Sequence, residues 1–355
     1  MVEIKVRKLQ GFRTFFCFML PKDGMTLVPA STGSAADSPA GGMEWGCMAD
    51  GMIDVLIVDD SAFFRESLKR SLEAEPGIRV VGEAADAEEA VRRIEALRPD
   101  VVSLDVEMPG MSGIEFLRRI MPQYAIPVVV VSSVSGAVFD ALGAGALDFV
   151  AKPDAGSAEE AAQFYAELKA KLKAASHANL SVLVRNADRG HPDRNTRCAP
   201  VLAFGASTGG TEALYTILKD LPHSMPGIVA VLHMPPVFTR LYAERLADIC
   251  RMDVREAEDG MHIRPGRVLI APGDRHLRIA RGIGGLTASL ASGERVNGHC
   301  PSVDVLFDSV AQTAGSEAVG VILTGMGSDG ARGMLHLREA GALTLAQDEA
   351  SSVLY

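Results

Sequence analysis

Short apolar runs alternate with amphipathic stretches from residue 53 onward. Each run is bounded by polar or turn-forming residues, which predicts buried strands at 55–58, 79–84, 101–104, 127–131 and 147–151. The amphipathic stretches predict helices over 62–74, 87–97 and 158–175. Strands that alternate with helices pair in parallel, with both sheet faces covered. We therefore expect an α/β domain over residues 53–175.

The pattern repeats closer to the C-terminus. Apolar runs at 201–204, 228–232 and 319–323 each end in polar or glycine-rich residues, and a helix is expected from about Thr211. These runs predict a second α/β domain over residues 199–355. Residues 176–198 are polar, with little apolar periodicity, and are predicted to be an interdomain linker.

Residues 1–52 follow neither pattern. Four basic residues precede a short apolar patch at 15–20, and a segment rich in Gly, Ala, Ser and Pro follows. The patch is short for a secretory signal, and no small-residue cleavage site follows closely. We expect 1–52 to be a disordered extension, or to result from a start codon assigned too early.

Composition narrows the class of protein. The length of 355 residues suggests two domains, and a hydrophobic content of 48% is ample for packed cores. A net charge of −10 argues against nucleic-acid binding, and no apolar run approaches the roughly 18 residues that span a membrane. Five scattered cysteines cannot all pair and form no C-x-x-C motif, which favours reduced thiols and a cytoplasmic location.

Five polar residues lie at successive strand ends of the first predicted domain. Asp59 and Asp60 follow the first strand, Asp105 the third, Ser132 the fourth and Lys152 the fifth. The carboxyl ends of parallel strands converge, so three carboxylates should meet and attract Mg²⁺. A carboxylate can also accept a phosphoryl group, whose oxygens a hydroxyl and an ammonium would hold. Taken singly, an Asp-Asp pair is more often a helix cap and Lys152 a surface lysine.

Three further residues follow strands of the second domain. Ser207 lies in a G-x-S-x-G turn, His233 follows the second strand and Asp329 the third. A hydroxyl, a basic imidazole and an orienting carboxylate at one sheet edge predict a serine hydrolase. The order Ser, His, Asp differs from that of α/β-hydrolases. Glycine-rich turns also bind phosphates, lone histidines are usually packed or on the surface, and Asp329 could be a turn residue.

Residues 53–175 resemble the receiver domain of bacterial response regulators, in the motifs at 58–61, 104–113, 131–133 and 149–153. The resemblance implies a flavodoxin-like fold in which Asp105 accepts a phosphoryl group from a histidine kinase. It implies a Mg²⁺ site formed by Asp59, Asp60, Asp105 and the backbone carbonyl of Glu107. It also implies that Ser132 and Lys152 bind the phosphoryl group and that Phe149 is the switch residue. The segment 134–145 is shorter than in familiar receivers, which puts the fourth helix in doubt.

Residues 199–355 resemble the catalytic domain of chemotaxis-type protein-glutamate methylesterases, a Rossmann-like three-layer fold. The matching motifs are at 205–213, 233–240, 256–260, 270–274, 301–307, 324–330 and 346–351. The resemblance implies that Ser207 is the nucleophile, His233 the base and Asp329 the orienting carboxylate. It implies that Thr208 and the Met326 N–H are the two oxyanion donors.

The implied substrate is a glutamyl methyl ester on cytoplasmic helices of a chemoreceptor, with glutamine deamidation by the same chemistry. The resemblance also implies that an unphosphorylated receiver partly covers the crevice. The sequence ends soon after the motif at 346–351, and we expect its C-terminal end to be truncated.

Two other functions are compatible with parts of the pattern. The second domain could be an output domain that only binds a partner, although an intact Ser207, His233 and Asp329 argue against this. It could use 205–210 to bind a nucleotide, but that segment lacks the Lys-Ser/Thr ending of a P-loop and the third glycine of a dinucleotide fingerprint. Five other histidines of the second domain receive no functional assignment: His223, His262, His276, His299 and His336.

Overall fold

The structure, a computed structural model, describes residues 52–124, 126–133, 135–153, 157–178 and 201–355. The predicted extension over residues 1–52, apart from its last residue, lies outside these ranges. So does the predicted linker beyond residue 178.

The first domain contains five parallel strands in the order β2-β1-β3-β4-β5, with helices on both faces. Its elements in chain order are β1 (Ile53–Val58), α1 (Ala62–Glu73), β2 (Ile78–Ala84), α2 (Ala87–Leu97), β3 (Val101–Asp105), α3 (Gly113–Tyr124), β4 (Val128–Ser132), α4 (Ser135–Gly143), β5 (Asp148–Ala151) and α5 (Ala158–Ser176). This is a doubly wound α/β sheet, as the alternation of strands and helices predicts.

Two helices of this domain differ from the expectation. The sequence analysis did not assign α3, although Phe116, Leu117 and Ile120 have helical spacing and are fully buried. The doubt about the fourth helix was wrong, because a nine-residue α4 forms in the short segment. Its side chains Val138 and Phe139 are buried, and that packing outweighs the short length.

The second domain contains a six-stranded parallel sheet in the order β13-β12-β6-β7-β9-β8, and an antiparallel hairpin of β10 and β11. Its elements in chain order are β6 (Val201–Ala206), α6 (Gly210–Leu218), β7 (Gly227–Leu232), α7 (Phe238–Ile249), β8 (Asp253–Glu256), β9 (Arg267–Ile270), β10 (His276–Gly282), β11 (Gly285–Ala291), α8 (Val303–Thr313), a 3₁₀ turn (Gly315–Glu317), β12 (Ala318–Ile322), α9 (Ala331–Glu339) and β13 (Leu343–Ala346).

The strand order creates a switch point beside β6. The chain runs from β6 to β7 on one side and later returns to β12 on the other side. The loops that follow β6 and β12 therefore diverge and leave a crevice at the carboxyl edge of the sheet. All residues of β6 and β7 are buried, which fixes the positions of the residues that follow them.

Aromatic rings join the two domains. Phe149 of β5 stacks on Phe238 of α7, with ring centroids 4.8 Å apart. Phe139 of α4 stacks on Tyr242, one turn further along α7, at 5.6 Å. Such offset pairs contribute about 0.5–1.5 kcal/mol each beyond their buried area. The first domain therefore rests on the helix that begins five residues after His233.

None of the helices in the described ranges has both the length and the apolar character needed to cross a bilayer.

A substitution at Gly205, the next-to-last residue of β6, would test how closely the residues behind the crevice are packed. A Cβ atom at this position would lie 2.2 Å from Cγ1 of Val303, which is buried in α8. We expect Gly205→Ala to lower the free energy of unfolding by about 1–3 kcal/mol, because neither the strand nor the helix can move away. Urea denaturation measures this change. Gly136→Ala is the matched control, since it has free space around it in α4; equal midpoints for the two variants would contradict the prediction.

Candidate functional site

Ser207 lies in a tight turn between β6 and α6. Its backbone N–H donates to the Thr324 carbonyl at 3.1 Å, and its own carbonyl accepts from the Gly210 N–H at 2.7 Å. Gly209 has a φ of +74°, and a Cβ there would lie 2.9 Å from the Val353 Cβ. A glycine is therefore required at position 209, and the turn presents the serine hydroxyl at the sheet edge.

His233 follows β7 and joins the other two predicted residues. Its Nδ1 is 3.2 Å from the Ser207 Oγ, and its Nε2 is 2.8 Å from the Asp329 Oδ2. A neutral imidazole that donates its Nε2–H to the carboxylate leaves Nδ1 free to accept the serine proton. The structure thus brings together a hydroxyl, an imidazole and a carboxylate that the sequence separates by up to 122 residues.

Asp329 accepts five hydrogen bonds, two on Oδ2 and three on Oδ1. Besides His233, the donors are Asn297 Nδ2 (2.8 Å), Ser302 Oγ (2.7 Å) and the backbone N–H groups of Val303 (2.7 Å) and Asp304 (3.2 Å). The two amides are the first of α8, whose N-terminus favours an anion. Burial alone would raise the pKa of Asp329, but these bonds outweigh it and hold the pKa well below its usual range. The carboxylate therefore stays ionised beside the imidazole.

A second buried carboxylate, Asp304, supports this arrangement. Its Oδ1 accepts from the backbone N–H groups of Gly330 (3.1 Å) and Gly333 (2.7 Å), and its Oδ2 from Asn297 Nδ2 (2.8 Å). Asp304 thereby ties α8 to the start of α9, directly after Asp329. The sequence analysis assigned no function to Asn297 or Asp304.

His299 is a further residue of this site that the sequence analysis left without a function. Its ring lies parallel to that of His233, with centroids 3.6 Å apart and an interplanar angle of 3°. Burial, followed by the nearby His233, lowers the pKa of His299 to about 4. The stacked ring is therefore neutral near pH 7 and restrains the plane of His233. Nothing in the spacing of the histidines along the chain indicates this contact.

The two predicted oxyanion donors border the same crevice. Thr208 is buried and Met326 is half-exposed, and both line it together with Ser207 and His233. The backbone comes close here, because a Cβ at Gly325 would lie 2.7 Å from the Ser207 Cβ.

The crevice has a volume of about 840 Å³ and lies between the domains. One wall holds Ser207 and His233. The opposite wall is one face of α5, at helical spacing: Glu160, Gln163, Glu167 and Lys171. A substrate that approaches the serine through this crevice therefore passes the first domain.

The acidic cluster of the first domain also assembles at strand ends. Carboxylate oxygens of Asp59, Asp60 and Asp105 lie within 4.8 Å of one another. The Lys152 Nζ donates to Asp59 at 2.9 Å and to Asp105 at 2.7 Å. Burial raises the pKa of Asp105, and bonds from Lys152 and the Glu107 amide oppose that rise. Three hard oxygen donors beside an open position fit Mg²⁺.

The remaining predicted residues lie on or directly after neighbouring strands of the same sheet. Ser132 ends β4 and is fully buried, and Phe149 is buried on β5. The Glu107 N–H donates to Asp105 Oδ1 at 3.1 Å, and its side chain accepts from the Ser133 hydroxyl. Metal coordination by the Glu107 carbonyl stays a prediction.

Two family models match the chain. Residues 55–162 match the response regulator receiver domain, and residues 202–355 match CheB methylesterase. A protein-glutamate methylesterase/protein-glutamine glutaminase 2 of Syntrophomonas wolfei is 54% identical over 307 residues, covering 85% of this chain and 89% of that protein. A protein-glutamate methylesterase/protein-glutamine glutaminase of Syntrophotalea carbinolica is 49% identical over 321 residues, covering 85% and 89%. A third relative, from Pseudomonas aeruginosa, is 48% identical over 313 residues, covering 85% and 88%.

The pKa of His299 has a measurable consequence for stability. Because it is lower in the folded protein than the ordinary 6.5, the unfolded chain binds a proton first as the pH falls. The folded state therefore loses stability between pH 6.5 and about 4, and His299→Gln removes that part of the loss. Urea midpoints across this range, with a ring-proton NMR titration of His299, test the prediction. A titration midpoint near 6.5 would contradict it.

Proposed function

The chain belongs to the protein-glutamate methylesterase/protein-glutamine glutaminase family, and on that premise we propose that it hydrolyses glutamyl γ-methyl esters on the cytoplasmic helices of a chemoreceptor. The same acyl chemistry would deamidate glutamine side chains. The observation that carries the proposal is the hydrogen-bonded series from Ser207 through His233 to Asp329, in which Ser207 and His233 line the interdomain crevice.

Acylation begins with Ser207. Its Oγ attacks the ester carbonyl carbon while Nδ1 of His233 takes the hydroxyl proton. The imidazolium that results is stabilised by Asp329, which remains an anion throughout. The carbonyl oxygen becomes negative and accepts from the Met326 N–H and from Thr208, in the field of the α6 N-terminus.

Collapse of this intermediate completes the exchange. His233 returns the proton to the methoxy oxygen, methanol leaves and an acyl-serine forms. Water, deprotonated by the same Nδ1, then attacks the acyl carbon and releases glutamate and free Ser207. With a glutamine side chain the leaving group is ammonia, and the product is again glutamate.

Regulation resides in the first domain. Asp105 is the proposed nucleophile toward a histidine-kinase phosphodonor in the cytoplasm. Mg²⁺ would be held by Asp59, Asp60, Asp105 and the Glu107 carbonyl, and when bound it would neutralise charge on the transferring phosphoryl group. Ser132 and Lys152 would hold the oxygens of the acyl phosphate.

Phe149 connects this pocket to the crevice. It lies three residues before Lys152 on β5, and its ring stacks on Phe238 of the catalytic domain. We propose that phosphorylation draws Lys152 toward the new phosphoryl group and turns the Phe149 ring away from Phe238. Loss of this stack weakens the interface, and substrate then has access to the serine.

Ser207→Ala tests the nucleophile. We expect methanol release from methylated receptor to fall by at least about 10³-fold, because among the residues that the structure describes no other hydroxyl is hydrogen-bonded to Nδ1. Phosphorylation of Asp105 by a small phosphodonor should be unchanged, which shows that the first domain is folded. Ser316→Ala, an exposed serine in the 3₁₀ turn, is the control. Substantial turnover by Ser207→Ala would refute the assignment.

Asp105→Asn tests the regulation. We expect it to lose the increase in methanol release that a small phosphodonor produces, because an amide cannot accept the phosphoryl group. Hydrolysis without the phosphodonor should persist, since the catalytic residues lie in the other domain. The exposed Asp248→Asn on α7 is the matched control and should still respond. A normal response by Asp105→Asn would overturn the proposed role.

A further inference from the structure

Arg295 lies at the crevice, and none of the acidic residues that the structure describes forms an ion pair with it. Its side chain is exposed and lines the same crevice as Ser207. Within the described ranges, no carboxylate lies within ion-pair distance of its guanidinium, although acidic residues outnumber basic ones in the whole chain. It donates weakly to the Gly298 carbonyl at 3.5 Å. A guanidinium prefers a carboxylate, to which it can form two parallel hydrogen bonds.

The other domain supplies the main contact of Arg295. Gln163 of α5 faces it across the crevice, and we assign its amide with the oxygen toward the guanidinium, because the opposite assignment would set donors against donors. That oxygen accepts from Nη1 at 3.1 Å and from Nη2 at 2.8 Å. The group that Arg295 binds here is a γ-carboxamide, the same group that the proposed deamidation hydrolyses.

The residues around Gln163 extend the similarity between α5 and a substrate helix. Glu160 and Glu167 lie three residues before it and four residues after it, and both line the crevice. Residues at these spacings share one face of a helix. A helix that carries a glutamine between two glutamates therefore faces Ser207.

Arg295 is also close to the reacting groups. It precedes by four residues His299, whose ring stacks on that of His233. Arg295 also contributes to the charge environment of His299. A side chain bound by Arg295 would therefore lie in the same crevice as the acyl group that Ser207 attacks.

We propose that Arg295 is a substrate-recognition residue for a carboxylate one helical turn from the glutamyl ester, and that Gln163 occupies this position in the resting protein as a tethered competitor. The proposal rests on the proposed function and specifies its substrate: a helix with a second acidic side chain three or four residues from the ester.

The chemistry explains how the two ligands exchange. A neutral amide in an exposed position binds a guanidinium less strongly than a carboxylate does. Gln163 competes because it belongs to the same chain, so its effective concentration is high. Release of the domain interface removes that advantage, and a substrate carboxylate then displaces Gln163.

Two helical peptides provide the test. Both carry one glutamyl γ-methyl ester; one has glutamates three residues before it and four residues after it, and the other has alanines there. The full-length protein is assayed for methanol release with saturating small phosphodonor. We expect the wild type to have about a tenfold lower KM for the glutamate peptide, and Arg295→Gln to lose this preference with little change in kcat. Arg295→Lys should keep part of it, and the exposed Arg278→Gln is the control.

A second comparison tests the competitor. Without phosphodonor, Gln163→Ala should lower the KM for the glutamate peptide, and with phosphodonor it should match the wild type. Gln312→Ala, an exposed glutamine of α8, is its control. In the Arg295→Gln background the Gln163 substitution should have no further effect on KM.

The outcomes distinguish recognition of the substrate by Arg295 from a contact that only holds the two domains together. If Arg295→Gln raises the basal rate equally on both peptides and keeps the preference, the contact only holds the domains together, and the recognition proposal is overturned. Equal KM values of the wild type for both peptides also overturn it, while the hydrolase function stands. Failure to release methanol from either peptide would overturn both proposals.

Discussion

The proposed chemistry depends on one buried carboxylate that must stay ionised. Removing an anion from water costs several kcal/mol unless nearly every lone pair is satisfied. Asp329 meets this condition with five donors, two of them the first amides of α8. The fold thereby supplies a fixed negative charge at a sheet edge, and this charge orients His233 together with the stacked ring of His299. Loss of the α8 N-terminus would disable Ser207 without touching it.

The two domains use the same edge of a parallel sheet in different ways. In the first, three carboxylates lie within 4.8 Å of one another, and the Lys152 ammonium offsets only part of their repulsion. Such a site favours binding of a cation, and in the proposed regulation it would respond to a new phosphoryl group. In the second, a single carboxylate is fully compensated and its surroundings do not need to change. A responsive site and a preorganised site are thus built from one architecture.

The sequence predicted most of the residues whose positions are set by the ends of strands. Because Ser207, His233 and Asp329 each follow a strand of one parallel sheet, their meeting could be inferred from apolar runs alone. The supporting residues 295–304 could not, since they lie on the loop before α8 and its first turn, outside any periodic pattern. The stacking of His299 and the bonds of Asn297 arise from that loop's tertiary path. The apolar residues of α3 have helical spacing in the sequence, but only their contacts in the structure show that they belong to the hydrophobic core.

Control of the crevice follows from how α5 is attached. The Lys171 Nζ of α5 donates to the Phe149 carbonyl at 2.6 Å and to Asp148 at 3.1 Å, and lies 5.2 Å from the centre of the Phe149 ring. Burial would lower the pKa of Lys171, but Asp148 and Glu167 outweigh this effect and keep it a cation. The helix that faces Ser207 is therefore bound to the strand that carries Phe149. In the proposed regulation, a turn of that ring would weaken the contact with Phe238 and the cation–π contact with Lys171 together, so a change at Asp105 would reach both the interface and the wall of the crevice.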